Sequence, residues 1–233
     1  MAKEALTLMD ELAALLAPTE DEQKAITATM GSGNAWLGYV QFMSPNSAPV
    51  KAGTIPVRTF CHMSGGKPDD LGTDVDVLIL ATRSTAVDNS GEKPFFCHDP
   101  ALDDKNNFTG KFKEIVDAAS VKDSNCFYGP EFLLYIPQIE KFATFMMGSL
   151  TARNDAYTLQ TLLAKAATLT SHMIPNKKHG PYPSPIAKEC DTVFQTPEVP
   201  VILEQVKKFK NPPLPKEDEA ATEEEADATD REQ

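Results

Sequence analysis

Arg58, Phe60 and His62 stand two residues apart in IPVRTFCHM (residues 55–63), a run rich in β-branched and aromatic side chains. Side chains alternate along an extended strand, so these three share one face while Val57, Thr59 and Cys61 share the other. A cation, an aromatic ring and an imidazole in one row can neutralise a phosphate and offer a face on which a nucleobase stacks. The same alternation also allows Phe60 to sit in the core with its neighbours at the rim. The densest mixture of cation and aromatic elsewhere is Lys177-Lys178-His179-Gly180-Pro181-Tyr182. Its Gly and Pro suit either an arm that follows a nucleic-acid strand or a plain exposed loop. Arg83 ends an apolar run, Lys141 and Phe142 begin another, Arg153 opens a helical stretch and Lys165 closes it. With Tyr182, Lys177 and Lys178, these residues complete the candidate nucleic-acid-binding set.

Metal and enzyme chemistry have weaker carriers. Cys-His occurs twice, as Cys61-His62 and Cys97-His98, but adjacent residues on a strand point to opposite faces and zinc needs ligands that converge. A mixed site such as Cys61 with His98 stays open. Asp69 to Asp76 and Asp99 to Asp104 are carboxylate-rich, with Asp74 and Asp76 on one strand face, so magnesium chemistry is a remote alternative to hydrated turns. The chain has no GxxxxGK[ST] loop, GxGxxG turn, GxSxG elbow or HExxH helix. The expectation is a non-enzymatic protein without a cofactor.

The elements that must position these residues are short. WLGYVQFM (36–43), residues 55–63 and VDVLILATR (75–83) read as strands bounded by turn residues. Residues 108–119 space Phe112, Ile115, Val116 and Ala119 for one buried helical face. FLLYIPQ (132–138) and KFATFMMG (141–148) are separated by almost nothing, which predicts a tight hairpin around Gln138 to Glu140. A helix over about 152–166, a strand over 167–174, a Pro-rich interruption, a strand near Asp191 to Gln195 and an amphipathic helix over 198–209 follow. Three strands, a helix and two strands predict a mainly β domain with peripheral helices, an α+β chain built on an OB-like five-stranded Greek-key barrel with a helix between strands three and four. A generic α+β sheet fits the same order.

Three segments are expected: residues 1–34, an amphipathic helix (3–16) on a flexible lead; 35–210, the β-rich domain; and 211–233, a Pro-containing linker and tail. The tail from Lys216 has nine carboxylates, two basic side chains and no aliphatic residue larger than alanine. It cannot bury enough surface to offset its ordering entropy, so disorder is expected. Of the net charge of −12, the tail supplies −7 and residues 1–34 supply −4, leaving residues 35–215 at −1. A near-neutral body with 18 basic side chains has cations enough for a local groove, and an acidic tail competes for such a groove or recruits basic partners. The N-terminal helix either packs on the body or docks another subunit, which leaves a homo-oligomer open. No signal-peptide pattern and no window of roughly 18 apolar residues is present, so no membrane partner and a cytoplasmic location are expected. Four irregularly spaced cysteines suit reduced thiols.

A β-rich body, a Pro-broken linker, the carboxylate tail and the passage of FYGPEFLLYIP into KFATFMMG and a helix together resemble the single-stranded-DNA-binding proteins of bacteriophages, the OB-fold, acidic-tail type. The resemblance implies binding of single-stranded DNA in phage replication or recombination, in the host cytoplasm, with replication proteins as partners of the tail. Tails of that family commonly end in an aromatic or hydrophobic residue; this chain ends Asp230-Arg231-Glu232-Gln233. The alternative reading is a phage structural or assembly protein.

Overall fold

A computed structural model of the chain describes residues 37–211 except 65–66, 92–93, 122 and 177–179. The expected N-terminal helix and the acidic tail lie outside the described residues. Nine strands form one sheet: β1 (Gly38–Phe42), β2 (Phe60–Ser64), β3 (Lys67–Gly72), β4 (Val75–Asp88), β5 (Phe95–His98), β6 (Cys126–Ile136), β7 (Lys141–Met146), β8 (Ala166–Ile174) and β9 (Tyr182–Glu189). The helices are α1 (Ala48–Lys51), α2 (Gly110–Ala119), α3 (Leu150–Asp155), α4 (Tyr157–Gln160) and α5 (Val199–Lys210).

The five-stranded OB barrel is not formed. The sheet runs β3-β2-β1-β7-β6-β4-β8-β9, with β5 on β4, and its end strands do not pair with one another. It is mixed, because β1 runs parallel to β7 (Val40 opposite Phe145) while every other pairing is antiparallel. The hairpin predicted between residues 132–138 and 141–148 is present as β6 and β7, joined by a 3-10 turn at Pro137–Ile139 and a left-handed Glu140 at φ 52°. The helix expected over 152–166 is instead the short pair α3 and α4, followed by turns and a left-handed Ala164 whose N–H donates to Ile79 O at 2.7 Å. No strand forms at 191–195; the strand lies earlier, in the Pro-rich stretch.

One irregularity in β4 decides which layer each of its side chains enters. Ile79 pairs with Leu134 and Ala81 with Leu133, leaving Leu80 as an extra residue. Such a bulge flips the side-chain alternation. Before it, Val75, Val77 and Ile79 join the core beneath α3 and α4, with Phe132, Leu134, Phe145, Ala156 and Leu159. After it, Ala81 joins Leu133 on the opposite face, beneath Ile202, Val206 and Phe209 of α5. Further along β4, Ala86 packs with Phe112 and Ile115 of α2. Helices thus cover both faces, and β6 is buried on both, as its continuous FLLYI run requires.

The bulge also sends Arg83 inward. Glu131 Oε2 accepts from Arg83 Nε at 2.9 Å and from Thr85 Oγ1 at 2.8 Å, and lies 2.8 Å from Arg83 Nη2. Arg83 Nη1 donates to Phe209 O, and the guanidinium stacks 4.2 Å from the Phe209 ring centroid. Thr85 gives its single proton to Glu131, so the 2.9 Å contact between Thr85 Oγ1 and His98 Nδ1 needs the proton on Nδ1. His98 Nε2 then carries a bare lone pair, buried and without a partner among the described residues. Burial, aided by the Arg83 charge, pushes the imidazole down to about 3.

The far edge of the sheet is closed without a further strand. Pro183, Pro185 and Ala187 fall at alternate positions of β9, opposite Met173, Ser171 and Leu169 of β8. The Ala187 N–H donates away from β8, to Thr158 Oγ1 of α4 at 3.0 Å. Pro183 and Pro185 occupy the same outward phase, where a missing N–H removes nothing from the ladder.

Two outcomes test this. Glu131→Leu strands a buried guanidinium and is expected to destabilise by about 3–5 kcal/mol in urea unfolding, more than Arg83→Met/Glu131→Leu, which removes both charges. A cost below about 1 kcal/mol for the single variant would show that the pair is not desolvated. For His98, the folded chain stays neutral while the unfolded chain takes up a proton below the ordinary value of 6.5, so stability falls as pH drops from 6.5 towards about 3. Melts between pH 6.5 and 5 should show a slope shallower by up to roughly 1.4 kcal/mol per pH unit in His98→Gln than in the parent chain; equal slopes would contradict the burial.

Candidate nucleic-acid interface

The proposed row on residues 55–63 does not form a stacking platform. The strand begins only at Phe60, and Arg58 lies before it in a left-handed conformation (φ 73°), its N–H donating to Met43 O at 2.7 Å. Phe60 and His62 do share a face, but it is the core face. Phe60 is fully buried between Phe42 and Phe145 (ring centroids 5.1 and 6.0 Å), and His62 is 2% exposed. A ring enclosed in this way has no face to offer a base. Arg58 turns sideways, its Nε donating to Ser171 Oγ at 2.9 Å.

The other nominated residues divide between structural and exposed roles. Arg83 is spent in the buried pair with Glu131. Arg153 stacks 4.0 Å over the Tyr128 ring, and its Nη1 donates to Gly148 O (2.7 Å) and Tyr128 O (3.0 Å), tying the start of α3 to β6. Lys165 is exposed and lies 3.7 Å from Glu189. Lys177 and Lys178 fall outside the described residues. Tyr182, Lys141, Phe142 and His62 line two separate concavities.

The larger is a groove of about 810 Å³ between the ends of β1 and β7, the start of α3 and β9. Its aromatic walls are the half-buried Phe42 and Tyr182, the lining Phe145 being buried in the core, and its polar lining includes Gln41, Asn46 and Ser149. None of the described lining residues is charged. Asn176 and Gly180, which immediately flank Lys177-Lys178-His179 in the chain, both line it. Tyr182 is half-buried, its hydroxyl 2.7 Å from Thr151 Oγ1, so the ring is held against α3. Beside it, Asp155 Oδ2 at the end of α3 accepts from Ser184 Oγ at 2.5 Å and lies 2.9 Å from His172 Nε2. Sequence reading missed Asp155, His172 and Ser184; the P-x-P alternation of an edge strand was the available signal.

These three side chains have the types of a hydrolytic triad but not its order. In a nucleophile relay the imidazole stands between hydroxyl and carboxylate and takes the hydroxyl proton. Here the carboxylate stands between them, and Ser184 is 1% exposed. The arrangement fastens α3 to β8 and β9 and so sets the groove wall.

The smaller concavity, about 400 Å³, is a cleft lined by Gly38, His62, Lys141, Phe142 and Gln205 among others. Phe142 packs against Tyr135 with ring centroids 5.2 Å apart. A Cβ on Gly38 would stand 2.3 Å from His62 Nε2, so only glycine fits against this imidazole. Among the described residues His62 Nδ1 and Gln205 Oε1 are both buried without a hydrogen-bond partner, and each such group costs about 1–3 kcal/mol. Asp69 Oδ2, at 3.8 Å from His62 Nδ1, is beyond hydrogen-bond reach.

Metal positions are poorly served. Among the described residues no three His, Cys, Asp or Glu side chains converge on one point. Cys61 is buried, and desolvation, reinforced by Asp70 and Asp69, pushes its thiol up to about 11; burial raises Cys97 as well. Asp76 accepts from Thr168 Oγ1 at 2.6 Å, and a hydrogen bond from Thr170 holds the Asp74 carboxyl below its ordinary value.

Asp155→Ala leaves the Ser184 hydroxyl buried without its acceptor and frees His172. An expected loss of about 1–3 kcal/mol in thermal or urea unfolding, with faster amide exchange in β9, checks the fastening role; unchanged exchange there would contradict it.

No protein-family model matches this chain, and no curated protein or solved structure matches it.

Proposed function

We propose that the protein binds single-stranded DNA without catalysing a reaction, using the groove beside β9 rather than a sheet face. The supporting observation is the meeting of the half-buried Tyr182 and Phe42 in a groove whose lining residues Asn176 and Gly180 bracket Lys177-Lys178-His179. Single-strand binding needs aromatic faces for bases and cations for phosphates, and a wide, uncharged floor admits bases while leaving the backbone at the rim. The Pro-closed edge of β9 keeps its backbone out of strand pairing, so contacts there fall to side chains. A role in phage DNA replication or recombination, with the acidic tail competing for the lysines or recruiting replication proteins, belongs to the same proposal.

The test is a fluorescence titration with a labelled oligonucleotide of about 20 nucleotides on the full chain and on a chain lacking residues 216–233. Binding should weaken with salt, strengthen when the tail is removed, and fall about tenfold in Tyr182→Ala, with Lys177→Ala/Lys178→Ala reducing the salt dependence. No binding by either chain at low salt would overturn the reading.

A further inference from the structure

We propose that Arg58 is the positioning residue of the groove beside β9: it clasps the two walls together and so fixes the width that a strand must fit. The inference rests on the reading of the groove as the binding site, and it concerns a residue that lies outside the groove's lining.

The two walls come from distant parts of the sheet. One is the end of β1 and the turn after it, with Gln41, Phe42, Ser44 and Asn46; the other is the start of β9, from Tyr182 to Pro185. Between β1 and β9 in the sheet order stand β7, β6, β4 and β8, so among the described residues no strand pairing sets their separation. Arg58 joins them. Its N–H donates to Met43 O at 2.7 Å, and the Met43 N–H donates to Thr59 O at 2.8 Å, which bolts the root of the side chain to the residue between Phe42 and Ser44. The guanidinium reaches β8, where Nε donates to Ser171 Oγ at 2.9 Å and Nη2 to Ser171 O at 3.3 Å. Ser171 stands opposite Pro185 of the far wall.

The backbone at Arg58 supports the same role. Its φ of 73° lies in the left-handed region that glycine adopts freely and residues with side chains adopt seldom. Such a conformation persists where the surroundings over-determine it, and it gathers at functional sites. Here the bonds that over-determine it run to Met43 and Ser171, one at each flank of the groove. The planar fork of the guanidinium gives two bonds to one serine, a geometry that the point charge of a lysine does not reproduce. Holding both walls before a strand arrives lowers the ordering cost of binding.

The experiment measures wall separation and binding on the full chain. Spin labels attached through a ketone-bearing amino acid in place of the exposed Asn46 and Pro181, which line opposite walls, leave the native thiols untouched. Arg58→Gly, whose backbone suits the left-handed position, should lengthen and broaden the distance distribution; Ser171→Ala, which keeps the cation, should do so to a smaller extent. In the unlabelled chain, affinity for a labelled single-stranded oligonucleotide should fall about tenfold in Arg58→Gly and about threefold in Ser171→Ala. The salt slope should stay that of the parent, because losing a direct phosphate contact would reduce it by roughly 0.7. An unchanged distance distribution in Arg58→Gly overturns the inference. A reduced salt slope in Arg58→Gly, with parental affinity in Ser171→Ala, assigns Arg58 to a phosphate and overturns it too. Walls that separate in Arg58→Gly while no chain binds the oligonucleotide uphold the clasp and overturn the groove reading alone.

Discussion

A guanidinium buried at the centre of the sheet has to keep its carboxylate, and much of the architecture follows from that requirement. Arg83 and Glu131 face each other across β4 and β6, so their pairing holds the register of two central strands. Arg83 also receives the end of α5 through the Phe209 carbonyl and ring. Two charges removed from water are costly apart and tolerable together. The pair therefore specifies one docking of α5, and Thr85 and His98 extend the same polar row to β5. The bulge at Leu80 is what makes this compatible with a hydrophobic core. Without the extra residue Arg83 would point into the apolar layer under α3 and α4 that holds Phe132, Leu134 and Phe145.

The far end of the sheet obeys a different constraint, the need to satisfy or hide the backbone of an edge strand. Pro183 and Pro185 remove two outward N–H groups and Thr158 satisfies a third, so α3 and α4 are drawn against β9. The groove is a by-product of that closure. Its wall is built from side chains that fasten these elements, Tyr182 to Thr151 and Ser184 to Asp155. The Tyr182 ring is held in place by its hydroxyl contact with Thr151 on α3.

Much of the element content was legible in the sequence. The alternation of Val75, Val77 and Ile79 marked β4, the continuous FLLYI run marked a strand buried on both faces, and the spacings of Phe112 and Ile115, and of Ile202, Val206 and Phe209, marked α2 and α5. Strand β9 was hidden because prolines signal loops unless the strand is known to be at an edge. Strands β3 and β5 are short, and with β8 and β9 they turn the barrel's five strands into nine. The barrel expectation failed for this reason. Of the residues nominated for binding, Tyr182, Lys141 and Phe142 line concavities, while Phe60 and Arg83 are enclosed.

Local chemistry by itself determined the charge segregation between body and tail, the amphipathic helices and the alternation that places Arg58, Phe60 and His62 in phase. Only the tertiary structure decided which face of that alternation was the core. A strand has two equivalent faces until its neighbours are in place, and here Val40, Phe42 and Phe145 arrive on the side of Phe60 and His62. The same holds for Arg83, whose direction depends on a bulge that periodicity cannot show, because an extra residue is visible only against the partner strand that it fails to pair with.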